Sequence, residues 1–370
     1  MTDSLLTKGT FFFPGPTEVR PEILRAMTRP MIAHRGSVFE EMFARMQYSL
    51  RQVFGTTRPV YVSSSSATGL MEAAIRCAPP GRVLSIVNGA FSARFAAIVK
   101  ACARESDVIE VPWGETIDLD VLAERLSATR YSAVTVVHSE TSTGALTDVR
   151  TVARMARENG AVCLVDSVTG VGATELHFDD WELDFALTGS QKALAMPPGL
   201  AFASASSAFI EGAKAQVGRG LYFDLVEFDA YALKNQTPNT PAIPLFFAAD
   251  AQLSAIVEET MPVRWARHAA MAARTYEWVD ALAARHGDGL RVLASAGQRS
   301  PSVTSVILPA SLASSRVLKA VSERGFTIGS GYGKNKETSV RIGHMGDHTL
   351  EGLERCLAAC DDAFDSLLAG

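Results

Sequence analysis

The chain has 370 residues, more than one small core accounts for, so two folded units, or a large unit with a smaller companion, are expected. With 47% apolar and 20% charged residues it reads as a globular chain, and a net charge of 35 − 40 = −5 argues against a nucleic-acid or anionic-membrane surface. The opening MTDSLLTKGT lacks the basic and apolar regions of a secretory signal, and the uncharged run 193–210 contains Pro197 and Pro198, which makes it a poor membrane span.

In chain order, FFFPGPT (residues 11–17) reads as an extended arm, because two prolines around a glycine disfavour helix. From about residue 60 short β-rich runs alternate with helical patterns. A strand at 60–62 leads through a serine-rich turn into the helical TGLMEAAIRCA. A strand at 82–87 precedes a helix at 92–104, and a further strand lies at 133–137. The helix in DVRTVARMARENG starts at Asp148 and stops at Asn159-Gly160. It runs into AVCLVD, apolar enough to be buried on both faces. Residues 185–187 and 200–203 read as further inner strands. This alternation means an α/β fold with a mostly parallel sheet between helices. After about residue 255 the pattern changes to a long amphipathic helix (263–285), a strand (302–308), a helix (314–324), a strand (339–342) and a last helix from about Leu350. The expected division is an arm at 1–15, a large domain at 16–258 and a small α+β domain at 259–370.

Lys192, in LTGSQKALAMPPG, follows an apolar strand and is flanked by small residues. It is either a strand-end lysine snorkelling to solvent or a desolvated amine with a lowered pKa, a ready nucleophile for an aldehyde. Asp166, in CLVDSVTG, ends the most buried-looking strand, as a helix cap or as a charge placed for a cation. Strand ends at one edge of such a sheet converge on a crevice, so the two can face one ligand. The stretch SSSSATGLMEAA sets small residues directly before a helix, where backbone N–H groups and the positive helix end suit a dianion, with Ser66 and Thr68 hydroxyls as further donors. Ser190 and Gln191 could add more. A carboxylate for a pyridine nitrogen, a lysine for an aldehyde and an anion turn for a phosphate together describe a pyridoxal-5′-phosphate site. Metal binding is not expected: His344 and His348 are four apart, but Gly343 and Gly346 disfavour a helix that would align them. Five scattered cysteines without a CxxC pair read as reduced thiols of a cytoplasmic protein.

The motifs PGPTEV, SATGLMEAA, VNGAF, HSETSTG, VDSVTG, GSQKAL, QTPNTP and RIGHMG, in this order across nearly the whole chain, resemble those of class V aminotransferases of the fold-type I pyridoxal-phosphate superfamily, above all the alanine–glyoxylate and serine–pyruvate or serine–glyoxylate group. The resemblance implies that Lys192 holds the cofactor as a Schiff base and that Asp166 pairs with its ring nitrogen. Phe91 would stack on the ring and Thr141 would hydrogen-bond its 3′-oxygen. Ser66, Ala67, Thr68 and Gln191 would surround the phosphate. Thr240, with Thr237, would reach the phosphate in the other subunit of a homodimer. Arg341 would grip the substrate carboxylate, and Gly15 would line the substrate side. His34 and Arg35 lie in a variable segment, where Arg35 is either a substrate contact or a structural ion pair. The implied reaction is ping-pong transamination from a small amino acid, alanine or serine, to glyoxylate or pyruvate, because no second arginine for a side-chain carboxylate is evident in the sequence. An aspartate or 2-aminoethylphosphonate transaminase, a lyase or a cysteine desulfurase of the same fold are the alternatives. From another class, a non-catalytic pyridoxal-phosphate or NAD-type binding protein remains, although no clean GxGxxG is present.

Overall fold

A computed structural model describes residues 9–287 and 289–368; residues 1–8, most of the expected arm, lie outside the described residues. A seven-stranded sheet has the spatial order Val60–Ser63, Ala201–Ala205, Phe185–Gly189, Val162–Asp166, Ala133–Val137, Val83–Val87, Ser106–Glu110. Ala201–Ala205 runs antiparallel to both neighbours, and the other strands run parallel to one another. Apart from Val162 and most of Ser106–Glu110, the strand residues are buried, so both faces are covered. The helices Ala67–Cys77, Ala90–Ala101 and Val149–Glu158 pack against this sheet. Asp118 and Asp148 cap helices Leu119–Ala128 and Val149–Glu158 by accepting first-turn N–H bonds.

A second, five-stranded sheet has the order Phe11–Phe12, Thr327–Ser330, Ser339–Gly343, Val303–Ile307, Arg291–Val292. The helices Met261–His286 and Ser314–Glu323 pack on it and Leu350–Leu368 packs on both of them, around a separate core that includes Phe12, Trp278, Leu353 and Phe364. Part of the arm is therefore a strand. Phe11 and Phe12 pair in parallel with Thr327 and Ile328, which carries the start of the chain into a sheet built from its end. Among the described residues no helix is long and apolar enough to cross a membrane. His344 and His348 go to separate partners, His344 to Thr304 Oγ1 and the Pro301 carbonyl, and His348 to the Phe11 carbonyl.

Candidate active site

The parallel strands deliver their C-terminal ends to one edge of the large sheet, and most of the expected site residues follow from that. Asp166 is the last residue of Val162–Asp166, and Lys192 lies in the turn after Phe185–Gly189. Ala67 opens the helix that follows Val60–Ser63, and Phe91 lies in the first turn of the helix that follows Val83–Val87. Thr141 comes just after Ser139–Glu140, beyond the end of Ala133–Val137. Arg341 arrives from the other sheet, at the centre of Ser339–Gly343. Its Nη1 donates to the Thr141 carbonyl at 3.2 Å and its Nε to the Ser330 carbonyl at 2.8 Å.

Lys192 is 8% exposed, and its Nζ donates to the Pro14 carbonyl at 2.7 Å. The arm holds the lysine turn from its other side as well. Thr17 Oγ1 donates to the Lys192 carbonyl at 3.0 Å, and Thr17 N donates to the Gln191 carbonyl at 3.0 Å. Gly15 lies against the amine with φ +96°, and a Cβ at that position would stand 2.3 Å from Nζ. Only glycine leaves the amine its place there.

Burial, then the charge of Arg341, pulls the Lys192 ammonium from 10.5 down to about 8, against the opposing pull of Asp166. Asp166 is 2% exposed; Oδ1 accepts from Val168 N at 2.8 Å, yet burial raises its carboxyl from 3.8 to about 7. The two groups shift one another's proton affinity without a direct ion pair. Arg341 is 5% exposed and has no carboxylate partner among the described residues; burial lowers its guanidinium to about 10, so it stays charged at neutral pH. Lys192 and Arg341 line one cavity of about 540 Å³, together with Gly15, Phe91 and Tyr332. A larger hollow of about 740 Å³ beside Trp181 and Trp265 is lined by no lysine or arginine.

At the serine-rich turn, Ser66 is the exposed N-cap of Ala67–Cys77 and makes no side-chain capping bond. The first N–H groups of such a helix have no partners within it. Ala67 is buried, while Thr68 and Gln191 are half-buried. In the QTPNTP segment, Thr240 is exposed, whereas Thr237 is buried and its hydroxyl donates to the Asn239 carbonyl at 2.8 Å. Among the described residues Arg35 has no ion-pair partner. It donates to the carbonyls of Thr237 (2.7 Å) and Pro238 (3.2 Å) and lies over the Tyr231 ring, which anchors this segment. The Thr141 hydroxyl meets Thr169 Oγ1 at 3.0 Å.

Three features of the centre were not assigned from the sequence. Glu140 is fully buried, and its carboxylate accepts from Ser92 N (2.9 Å), Phe91 N (3.1 Å) and Ser142 Oγ (2.6 Å), so it fixes the start of the Phe91 helix. The HSETSTG motif displays it, but its helix partner is remote in sequence. Arg264, 1% exposed, donates to the Ala193 carbonyl at 2.6 Å and pairs with Asp347 at 3.0 Å, supporting the lysine turn from the long helix. Phe91 stacks on Tyr332 with ring centroids 5.1 Å apart, and Arg94 Nη2 donates to the Tyr332 hydroxyl at 3.2 Å. An arginine one turn beyond Phe91 is visible in the sequence; that it meets Tyr332 is not.

The sequence profile of the family described as "Aminotransferase class-V" matches residues 16–345. A serine–glyoxylate aminotransferase of Arabidopsis thaliana is 31% identical over 95% of this chain and 88% of its own length. An L-aspartate–glyoxylate aminotransferase of Paracoccus denitrificans is 30% identical over 93% of this chain and 88% of its own. The crystal structure of an alanine–glyoxylate aminotransferase from Nostoc superposes with a TM-score of 0.89 at 28% identity, covering 98% of this chain and 97% of that one. With its fold, its edge of converging strand ends and these relatives, the chain belongs to the class V aminotransferases, pyridoxal-phosphate enzymes of fold type I.

Proposed function

We propose that the protein moves an amino group from a small amino acid to a 2-oxo acid such as glyoxylate or pyruvate by ping-pong transamination, with Lys192 as its catalytic amine. The observation that carries this is a single cavity in which a buried lysine and a buried arginine both lack carboxylate partners among the described residues, with a buried aspartate in electrostatic reach. The donor set fits pyridoxal phosphate. Lys192 suits the aldehyde, Asp166 a protonated ring nitrogen, and Phe91 and Thr141 the ring. The first turn of Ala67–Cys77, with Ser66, Thr68 and Gln191, suits the phosphate. When bound, the cofactor supplies an aldehyde that takes up the amino group and a ring that accepts electrons from the substrate.

The remaining work falls to the chain. Arg341 binds the α-carboxylate through its free Nη2 side, in a fixed orientation suited to a planar fork. With its ammonium near pH 8, Lys192 is partly neutral under physiological conditions, so its Nζ can take the proton from the substrate α-carbon. A bare Gly15 keeps that nitrogen accessible. Thr240, exposed in one chain, is the candidate to complete the phosphate site of a second chain in a homodimer; Thr237, committed to Asn239, serves by shaping the segment. A cysteine desulfurase is disfavoured because Cys356 and Cys360 are fully buried within Leu350–Leu368. Serine, alanine and aspartate, the donors named among the relatives, are alike at the carboxylate that Arg341 meets. Lys192→Ala should abolish both turnover and the borohydride-trapped adduct with pyridoxal phosphate. Full turnover in that variant would end this reading.

A further inference from the structure

A hydroxyl has one proton to give, and beside Thr141 a backbone carbonyl decides where it goes. Thr169 Oγ1 lies 2.7 Å from the Ser139 carbonyl oxygen, which can only accept, so Thr169 is the donor. Its weaker approach to Ser139 Oγ, at 3.1 Å, draws on the same proton. With that proton spent, the 3.0 Å contact between Thr141 Oγ1 and Thr169 Oγ1 is a hydrogen bond only if Thr141 donates. Thr141, Thr169 and Ser139 are all buried, so none of them exchanges these bonds for bulk water without cost. The run of hydroxyls continues from Ser139 Oγ to Ser300 Oγ (2.8 Å) and on to Ser302 Oγ (2.9 Å), in the segment that leads into Val303–Ile307 of the second sheet. Between those serines either oxygen can donate. The direction is set at the Ser139 carbonyl, and it runs away from Thr141.

Resting on the transaminase reading above and its cofactor, we infer that Thr169 is a positioning residue for the site: by taking the Thr141 proton it leaves the Thr141 hydroxyl with only lone pairs to offer a ligand. In that reading Thr141 meets the cofactor's 3′-oxygen, so its hydroxyl serves there as an acceptor and favours the bound form that carries a proton at that end. To donate to an anionic 3′-oxygen instead, Thr141 has to give up its bond to Thr169. Acting through Thr141, Thr169 therefore holds up the pH at which the bound cofactor loses its proton. The Arg341 bond to the Thr141 carbonyl fixes the same residue from its backbone side, so the hydroxyl can turn while the residue stays in place.

The test titrates the absorbance of the full-length holoenzyme with pH, for the wild type, Thr169→Val, Thr169→Ser, Thr141→Val and the Thr141→Val/Thr169→Val double variant. Thr169→Val has no acceptor for the Thr141 proton, which then turns to the 3′-oxygen and stabilises its anion. One hydrogen bond of this kind shifts the midpoint down by roughly half a unit to one pH unit. Thr169→Ser keeps the hydroxyl and should keep the wild-type midpoint. In the Thr141→Val background, valine at position 169 should change nothing, because the proton it would free is gone. A general loosening of the fold would not vanish there. An unmoved or raised midpoint in Thr169→Val, or a downward shift that persists with Thr141→Val, would overturn the inference. Thr169→Ala, which removes the hydroxyl without putting a methyl group in its place, takes over with the same expected outcomes where the valine variant does not fold. A holoenzyme that titrates but transaminates no donor would end the transaminase reading alone, and the midpoints would still decide the role of Thr169. A chain that takes up no pyridoxal phosphate would end both.

Discussion

Replacing Asp166 by asparagine tests the electrostatics of the centre directly. The folded, cofactor-free chain keeps the Asp166 proton up to about pH 7, whereas an unfolded chain loses it near 3.8. Between those values the folded state binds more protons, so stability falls as pH rises, and above pH 7 the whole penalty is present. A separation from 3.8 to about 7, at about 1.4 kcal/mol per pH unit, sets a ceiling of ~4 kcal/mol. Asparagine keeps an oxygen for the Val168 N–H but buries an amide donor, which takes back roughly 1–3 kcal/mol. The expected result is a variant whose apparent Tm, relative to cofactor-free wild type, climbs by a few degrees between pH 4 and 7 and then levels off. Thermal scans of both proteins across that range, stripped of cofactor, supply the measurement. A difference that does not depend on pH, or that falls as pH rises, would refute the placement of a desolvated carboxyl there. Added pyridoxal phosphate should raise the wild-type midpoint more than that of the variant, because only the carboxylate can pair with a protonated ring nitrogen.

Gly15→Ala places a Cβ 2.3 Å from Lys192 Nζ in a backbone conformation that disfavours side chains. Turnover should fall about a hundredfold through misplacement of the amine, and a rate within twofold of wild type would contradict the packing. Glu140→Gln sets an amide donor against the N–H groups of Phe91 and Ser92 and the hydroxyl of Ser142. It should cost roughly 1–3 kcal/mol, read as a lower urea midpoint, and an unchanged midpoint would show that the carboxylate does not hold the Phe91 helix.

Much of the large sheet was legible because its strands are short, apolar and punctuated. Ala133–Val137 appears at its expected limits, and AVCLVD ends at Asp166 as expected. Ser106–Glu110 escaped notice because SDVIE sits at the sheet edge, half-exposed and polar, without the signature of a buried strand. Thr327–Ser330 is equally faint, four residues with one glycine. The reversed direction of Ala201–Ala205 follows from its connection: residues 190–200 hold the lysine turn and two prolines, with no crossover helix to bring the chain back in parallel. In the site, Asp166 and Lys192 could be found because strand ends announce themselves. Arg94 and Tyr332 could not, since their meaning arises only where a helix of the first sheet touches a loop of the second.

The strand Phe11–Phe12 ties this chemistry to the order in which the chain is assembled. Its partners, Thr327 and Ile328, lie more than 300 residues further along the sequence, and the carbonyl that accepts from the Lys192 amine belongs to Pro14, two residues beyond the strand. Closing so long a loop is slow compared with pairing neighbouring strands. A nascent chain can therefore complete the large sheet, and expose its lysine, well before the two ends meet. Until they do, the Lys192 amine lacks the Pro14 carbonyl that accepts from it.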